Sequence, residues 1–228
     1  MMKEGTLICD FSGAYGAQGF LPWMLREAGN AVQVLDFKGL EGTNCYCDHA
    51  AALMIGSMLP EKLPWLRWID SGDYHYMTHL LALREEEPFH LLLLDNHPDN
   101  QEPAFGGVLS CGSWVKAMRE GNPCLMDILW IGPENGEYRE WMEKRRGERL
   151  YVSLDKDVMS PDWARTDWSQ GLYSLADVDE ILRFAMAEME IAAIDVCGEI
   201  SASKGGSPED NKINFETNTK LYNLLCQN

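Results

Sequence analysis

Basic residues are scarce in this sequence. The 228-residue chain has 19 lysines and arginines against 36 aspartates and glutamates, which gives a formal net charge of −17 at pH 7. Because phosphate binding requires a basic patch, this balance argues against nucleic acid or an anionic membrane as the main partner. An acidic chain can bind cations, although a merely acidic surface accounts for the same composition.

Long apolar runs are also missing. Crossing a bilayer takes an apolar run of about 18 residues or more, and the sequence contains none. The opening segment MMKEGTLICDFSG has only a short apolar run, so we expect no signal peptide. The seven cysteines are an odd number. Together these features predict free thiols in a reducing cytoplasm.

Two common binding motifs are absent. In the CYCDH segment, Cys45 and Cys47 are separated by one residue, and no second cysteine pair follows at a distance typical of a zinc site. We therefore predict a structural or incidental role for them and for His49. The glycines of GAYGAQG (13–19) do not match the G-x-G-x-x-G fingerprint of dinucleotide binding, and we predict a flexible loop there.

Short apolar runs alternate with helical patterns along the chain, which indicates βαβ units and a mostly parallel sheet. Most of the runs are apolar on both faces, as expected of strands covered by helices on both sides. We predict a single α/β domain over residues 1–228, with three α/β/α layers. The predicted strands are TLICDF (6–11), AVQVLDF (31–37), LRWID (66–70), FHLLLLD (89–95), DILWIG (127–132), RLYVSLD (149–155) and IAAIDV (191–196). The predicted helices are MTHLLALREEE (77–87), SLADVDEILRFAMAEME (174–190) and NTKLYNLLCQ (218–227), with a polar loop over 201–212.

Acidic residues and histidines recur where the predicted strands end. Open α/β sheets bind ligands at the carboxyl ends of their strands, so we expect these side chains to gather at one edge. They are Asp73 and His75 in SGDYH, Asp95, His97 and Asp99 in DNHPD, Asp155 and Asp157 in SLDKD, and Asp195 and Glu199 in DVCGE.

The spacing of the aspartates predicts a shared direction. Residues two apart in an extended chain point to the same side, and Pro98 favours an extended conformation for the residue before it. Four carboxylates gathered in this way repel one another and raise one another's pKa values. Cations resolve the conflict, and four aspartate charges match two divalent ions.

These four strand-end motifs resemble those of the arginase/agmatinase (ureohydrolase) family, whose fold is shared with the histone deacetylases. The resemblance covers about residues 66–200. It implies a binuclear manganese site that activates water to cleave a C–N bond of a linear amidine or guanidino compound. It also implies that Glu199 faces a cationic group of a small-molecule substrate. The implied metal ligands are His75, Asp95, His97, Asp99, Asp155 and Asp157.

The sequence departs from the family at a position that bears on catalysis. Cys111, in LSCGSW, stands where the family often has a proton-shuttling histidine. We therefore predict a divergent, short member that hydrolyses C–N bonds other than peptide bonds. One alternative is a deacetylase-like amide hydrolase with a single Zn²⁺ on Asp95, His97 and one of the later aspartates. The other is a noncatalytic metal-binding domain. The substrate, the metal and the formation of a homo-oligomer stay open.

Overall fold

Seven parallel strands form the sheet that organises the chain in a computed structural model, which describes residues 5–104, 106–133 and 137–226. The strand order across this sheet is β2-β1-β4-β9-β8-β5-β7. The two remaining strands, β3 and β6, form a separate antiparallel pair that the sequence did not predict. The strands are β1 (Thr6–Asp10), β2 (Val32–Asp36), β3 (Tyr46–Cys47), β4 (Leu66–Trp68), β5 (Phe89–Leu94), β6 (Leu109–Ser110), β7 (Leu125–Ile131), β8 (Arg149–Asp155) and β9 (Glu190–Cys197).

The apolar runs form strands because both of their faces are covered. All six residues of β5 are buried. Alternate side chains point to opposite faces of a strand, so Leu92 and Leu94 pack into one core and Leu91 and Leu93 into the other. All seven predicted strands are confirmed, and the sheet that they form is parallel throughout.

Helices cover both faces of the sheet, which confirms the three-layer α/β/α architecture. Side chains of α1, α2, α6, α7 and α8 pack into the core on one face, and those of α3, α4 and α5 pack into the core on the other. None of the described helices is long and apolar enough to cross a membrane. The helices are α1 (Ala14–Ala17), α2 (Phe20–Ala28), α3 (His49–Met58), α4 (Met77–Ala82), α5 (Trp114–Gly121), α6 (Tyr138–Glu143), α7 (Leu175–Glu188) and α8 (Pro208–Cys226).

Two predicted loops are helical in the structure. The GAYGAQG segment contains α1, and the left-handed glycines Gly13 and Gly19 (φ 81° and 82°) immediately precede α1 and α2. The polar segment 201–212 contains the first turn of α8. There Ser207 and Asp210 hydrogen-bond each other reciprocally, as in a capping box, with proline at the first helical position. The loop predictions were wrong over α1 and over residues 208–212, where helix-starting residues were taken for loop residues.

The buried core predicts a large difference between two chemically identical substitutions. Leu92→Ala removes a fully buried side chain from β5, whereas Leu172→Ala changes one that is 86% exposed. We expect the first to lower the free energy of unfolding by about 2–5 kcal/mol and the second to change it by no more than about 0.5 kcal/mol. Urea denaturation at matched metal content measures both values, and equal losses would contradict this account of the core.

Candidate metal centre

The candidate site lies at the carboxyl ends of the central strands. Asp155 is the last residue of β8, and Asp95 directly follows β5. These strands are neighbours, with Leu94 in register with Leu154. The residues that come next along the two strands therefore emerge side by side, at the edge where open α/β sheets bind ligands.

Four of the predicted ligands form a first cluster around His75. Its Nδ1 atom lies 3.2 Å from an oxygen of Asp95, 3.1 Å from one of Asp99 and 3.4 Å from one of Asp155. His75 directly follows the short 3-10 helix Gly72–Tyr74, after the end of β4. The four side chains are between 1% and 11% exposed, so their charges are largely shielded from water.

A second cluster adjoins the first and shares one residue with it. His97 Nδ1 lies 2.8 Å from Asp157 Oδ2 and 3.6 Å from Asp95 Oδ1. Asp95 therefore contributes one oxygen to each cluster. The structure thus brings all six sequence-predicted ligands together. Two adjoining groups have the donor types and spacing to hold a metal ion: His75 with Asp95 and Asp99, and Asp95 with His97 and Asp157. Asp155 adjoins the first group through its contact with His75.

The ligands reach the site through turns, and the predicted extended backbone was wrong. Asp99 has a left-handed φ of 44°. Residues Lys156–Val158 form a 3-10 turn, in which the Asp155 carboxylate accepts a hydrogen bond from the Asp157 backbone N–H at 2.9 Å. A carboxylate that caps its own turn directs the chain back on itself, so the two aspartates converge without strand alternation.

Burial and mutual repulsion govern the charges of the site. Burial, followed by the charges of Asp157 and Asp95, raises the pKa of Asp155 well above its ordinary value. Burial and then the charge of Asp95 raise the pKa of Asp157 to about 6. Hydrogen bonds to Asp157 and then to Asp95 raise the pKa of His97 to about 10. Burial opposes a charge on His75, but its contacts with nearby carboxylates outweigh burial and raise its pKa.

One buried oxygen indicates that a cation fits among these groups. Oδ2 of Asp95 is buried and accepts no hydrogen bond among the described residues, although it lies 3.2 Å from His75 Nδ1. A buried carboxylate oxygen without a hydrogen bond is rare in folded proteins because it is costly. Four carboxylates and two imidazoles are donors that suit Mn²⁺ or a similar divalent ion. A third group joins Cys197 to His75 and Asp155, but burial raises the pKa of that thiol. The residues present therefore fit two divalent cations.

Residues behind the ligands hold them in position. His75 Nε2 lies 2.9 Å from the Ser153 hydroxyl, which donates to Asp195 at 2.6 Å, and this leaves Nδ1 facing the carboxylates. Trp114 Nε1 donates to Asp99 at 2.7 Å. The role of Ser153 could have been read from strand alternation, because it lies two residues before a ligand. Trp114 comes from α5 and carried no local signal.

A cleft of about 320 Å³ opens onto both clusters. Trp168 lines it and packs against Gly72, where an added Cβ atom would lie only 2.8 Å from the indole ring. The indole Nε1 also donates to Asp73 at 3.0 Å. Cys111 and Gln101 line the cleft as well. Trp168 was missed by the sequence reasoning, because a tryptophan in an irregular segment has no distinctive spacing.

The cysteines near the cleft are poor proton carriers. Burial raises the pKa of Cys111 far above its ordinary value, so its thiol stays protonated near neutral pH. Cys45 also lines the cleft, and burial raises its pKa to about 11. Cys47 is buried in β3, and His49 is exposed at the start of α3. Within the CYCDH segment, Cys45 and Tyr46 line the cleft, and Cys47 and His49 are not among its described lining residues.

Glu199 does not occupy the position predicted for it. Its side chain is fully buried, and its carboxylate contacts the Lys156 ammonium group. It also accepts a hydrogen bond from Gln18 at 2.7 Å. The predicted contact between Glu199 and a cationic substrate is not supported by this geometry, because the carboxylate already has a cation from its own chain.

No protein-family model matches the chain. A Thermotoga maritima protein of unassigned function is 27% identical over 211 residues, covering 87% of this chain and 81% of that protein. Solved structures resemble the chain over almost its whole length. Proclavaminate amidino hydrolase from Streptomyces clavuligerus superposes with a TM-score of 0.67 at 15% identity, covering 98% of this chain and 92% of that one.

Two further enzymes show the same likeness. Formimidoylglutamase from Bacillus subtilis gives a TM-score of 0.64 at 12% identity, and arginase from Medicago truncatula gives 0.61 at 15% identity. Each comparison covers 98% of this chain and 86% of the other. The chain has the arginase-like fold. At these identities the likeness concerns the arginase-like fold alone, and the chemistry has to be argued from the site.

The fit between the ligands and divalent ions predicts metal-dependent stability. A ligand that binds only the folded protein stabilises it by about 2.7 kcal/mol when present at about 100 times its dissociation constant, and we expect this effect from Mn²⁺. For a chain of this length, that corresponds to a rise in Tm of about 5–10 °C. Calorimetry with Mn²⁺ and with EDTA measures the shift. Asp95→Asn should abolish most of it, and Asp162→Asn, at an exposed position, should preserve it. A Tm indifferent to both reagents would contradict the assignment.

Proposed function

We propose that the protein is a metal-dependent hydrolase that cleaves a C–N bond other than a peptide bond in a small linear compound. The observation that carries the proposal is the pair of adjoining ligand clusters that share Asp95 and open onto one cleft. One ion would be held by His75, Asp95, Asp99 and Asp155, and the other by Asp95, His97 and Asp157. Mn²⁺ is the ion that we expect, because the donors are oxygen-rich.

Divalent ions at such a site supply a Lewis acid and lower the pKa of water towards neutrality. The chain's own residues account for the rest of the arrangement. Ser153 and Trp114 hold two ligands in place, and Trp168 covers part of the cleft. The carboxylates described as lining the cleft are all candidate metal ligands. A carboxylate that accepts the proton of the attacking water is therefore one of these four aspartates.

The C–N bonds of amidino, guanidino and ureido compounds are the first substrates to test. Their reacting carbon is planar and bears several heteroatoms, so a nucleophile held in the cleft can attack it from one face. The names of the three structural neighbours, proclavaminate amidino hydrolase, formimidoylglutamase and arginase, support a search within this group.

An amide hydrolase with one Zn²⁺ is the second candidate. The group Asp95, His97 and Asp157 is complete by itself and corresponds to the single-ion site predicted from the sequence. However, His75 and Asp99 meet the same central aspartate on its other oxygen. A two-ion site gives the first cluster, around His75, a role in metal binding, whereas a one-ion site leaves that cluster without a role.

The proposal predicts that hydrolysis depends on Asp157. Asp157→Asn removes a negatively charged ligand from the second cluster, and we expect kcat/KM to fall by about 100-fold or more. The exposed variant Asp162→Asn should keep the activity of the unmodified protein. The assay follows amine and ammonia release from a panel of linear amidino, guanidino and ureido compounds after Mn²⁺ loading. Full activity in Asp157→Asn would overturn the assignment, and so would release that is unaffected by EDTA.

The raised pKa of Cys111 predicts that its thiol does not shuttle protons. Cys111→Ala should change kcat by no more than about three-fold. Cys111→His should raise it if the cleft admits the ring, since an imidazole titrates near pH ~6.5 and general acid–base catalysis is worth about 100-fold or more. The measurement is kcat against pH for the three proteins. Loss of activity in Cys111→Ala would show that the thiol takes part in the chemistry.

A further inference from the structure

In the sequence, a buried lysine, Lys156, lies between the candidate metal ligands Asp155 and Asp157. The Lys156 side chain is fully buried, and its Nζ atom contacts Glu199, whose side chain is also fully buried. The same ammonium group donates to Asn218 at 2.9 Å. A charge this deep is tolerated only when a partner compensates it, so the lysine and the glutamate form a fixed internal pair.

The Glu199 carboxylate has no acceptor site left. One of its oxygens accepts from Lys156 and from Asn218 Nδ2 at 2.8 Å. The other accepts from Gln18 Nε2 at 2.7 Å and from Asn214 Nδ2 at 3.0 Å. An ionised carboxylate offers about four lone-pair sites, and four donors occupy them. A substrate cation could bind Glu199 only by displacing donors from its own chain.

Position 198, directly before Glu199, cannot supply a carboxylate to the cleft in place of Glu199. Gly198 has a φ of 90°, and a Cβ atom added there would lie 2.2 Å from an Asp155 oxygen and 2.7 Å from the Lys156 backbone nitrogen. This position therefore presents only backbone beside the first cluster. No acidic side chain from the end of β9 can reach the cleft without moving a candidate ligand.

Two other acidic side chains near the cleft share one lysine, which balances one of their two charges. Lys204 Nζ lies 3.4 Å from Asp73 and 3.5 Å from Asp167. Asp73 further accepts from Trp168, and Asp167 accepts from the Ser201 backbone N–H at 3.1 Å. Both carboxylates are buried, and neither residue is among those described as lining the cleft, so neither faces a ligand bound there.

The remaining lining of the cleft is uncharged. Apart from the candidate ligands, the described lining side chains are Cys45, Tyr46, Gln101, Ser110, Cys111 and Trp168. The four ligand aspartates carry four negative charges, which two divalent ions neutralise. A protonated guanidinium or amidinium entering this cleft would lose its hydration without gaining a counter-charge, and that transfer is unfavourable.

We infer that the substrate group that faces the metal site is neutral, as in a ureido or amide compound. A guanidinium would need a negatively charged partner, and the Glu199 carboxylate cannot serve because it is already paired with Lys156. This inference rests on the proposed function and narrows its substrate class. In the hydrolysis of a ureido compound, the oxygen of water bonds to the ureido carbon and the bond from that carbon to the alkyl-bearing nitrogen breaks. The departing nitrogen takes a proton from water. The products are an amine and carbamate, which decomposes to ammonia and carbon dioxide.

A matched pair of compounds tests the inference with one readout. 4-Ureidobutyrate and 4-guanidinobutyrate differ only at the reacting group, and both yield 4-aminobutyrate on hydrolysis. With Mn²⁺-loaded protein, we expect kcat/KM to be at least about ten-fold higher for the ureido compound, the size of effect that one unpaired charge produces. Equal rates, or faster hydrolysis of the guanidino compound, would overturn the inference while leaving metal-dependent hydrolysis intact.

Binding separates this inference from the proposed function. The Tm shift that each compound causes in the Mn²⁺-loaded protein is measured at equal concentration, and only the ureido compound should give a shift. A larger shift from the guanidino compound, or none from either, would overturn the inference whether or not turnover occurs. Failure of both compounds to be hydrolysed, with the ureido compound still bound, would count against the proposed function alone.

Two variants and one control variant test the charges of the site directly. Gln101→Glu adds a carboxylate to the cleft lining and should move the ureido-to-guanidino ratio about ten-fold towards the guanidino compound. Gln33→Glu adds the same charge at an exposed position on β2 and should leave the ratio unchanged. The double variant Lys156→Gln/Glu199→Gln removes both buried charges together, which avoids an unpaired one, and should also keep the ratio. A ten-fold change in that double variant would show that Glu199 acts on the substrate.

Discussion

The repulsion among four aspartates at one edge of the sheet is the constraint on which the rest of the structure depends. Asp95 and Asp155 emerge from neighbouring strands, and Asp99 and Asp157 turn back towards them. Burial disfavours the charge of Asp155 and raises its pKa well above the ordinary value. Two histidines and one buried carboxylate oxygen that accepts no hydrogen bond among the described residues then define where compensating cations fit.

The surrounding residues keep this unfavourable arrangement in one geometry. Ser153 and Asp195 fix the orientation of the His75 ring from within the sheet. The pair formed by Lys156 and Glu199 anchors the turn between the last two aspartates to the helical layer that contains α8. The same pair thus supports the site structurally and removes a carboxylate from contact with ligands. The Lys156–Glu199 ion pair therefore both stabilises the turn and limits the charge of the ligand that the cleft can bind.

Local signals in the sequence were enough to predict the sheet and the edge at which the candidate ligands lie, and the resemblance to the arginase family singled out the ligands among the residues at that edge. Strands covered on both faces must be apolar throughout, and the residues that follow them must lie at one edge, so position along the chain was sufficient. The environment of Glu199 could not be predicted in this way. It depends on Gln18, Asn214 and Asn218, which come from opposite ends of the chain and meet only when α8 packs near α2. The left-handed backbone of Asp99 was equally hidden, because spacing alone suggested an extended strand end.

Metal stoichiometry tests the central claim most directly. Elemental analysis of the full chain after Mn²⁺ loading and exhaustive dialysis should give two ions per chain. Because Asp95 contributes an oxygen to each cluster, Asp95→Asn should lower the content below one ion, while the exposed Asp162→Asn should retain two. Fewer than one Mn²⁺ per chain in the unmodified protein, with no other divalent metal in its place, would contradict the account.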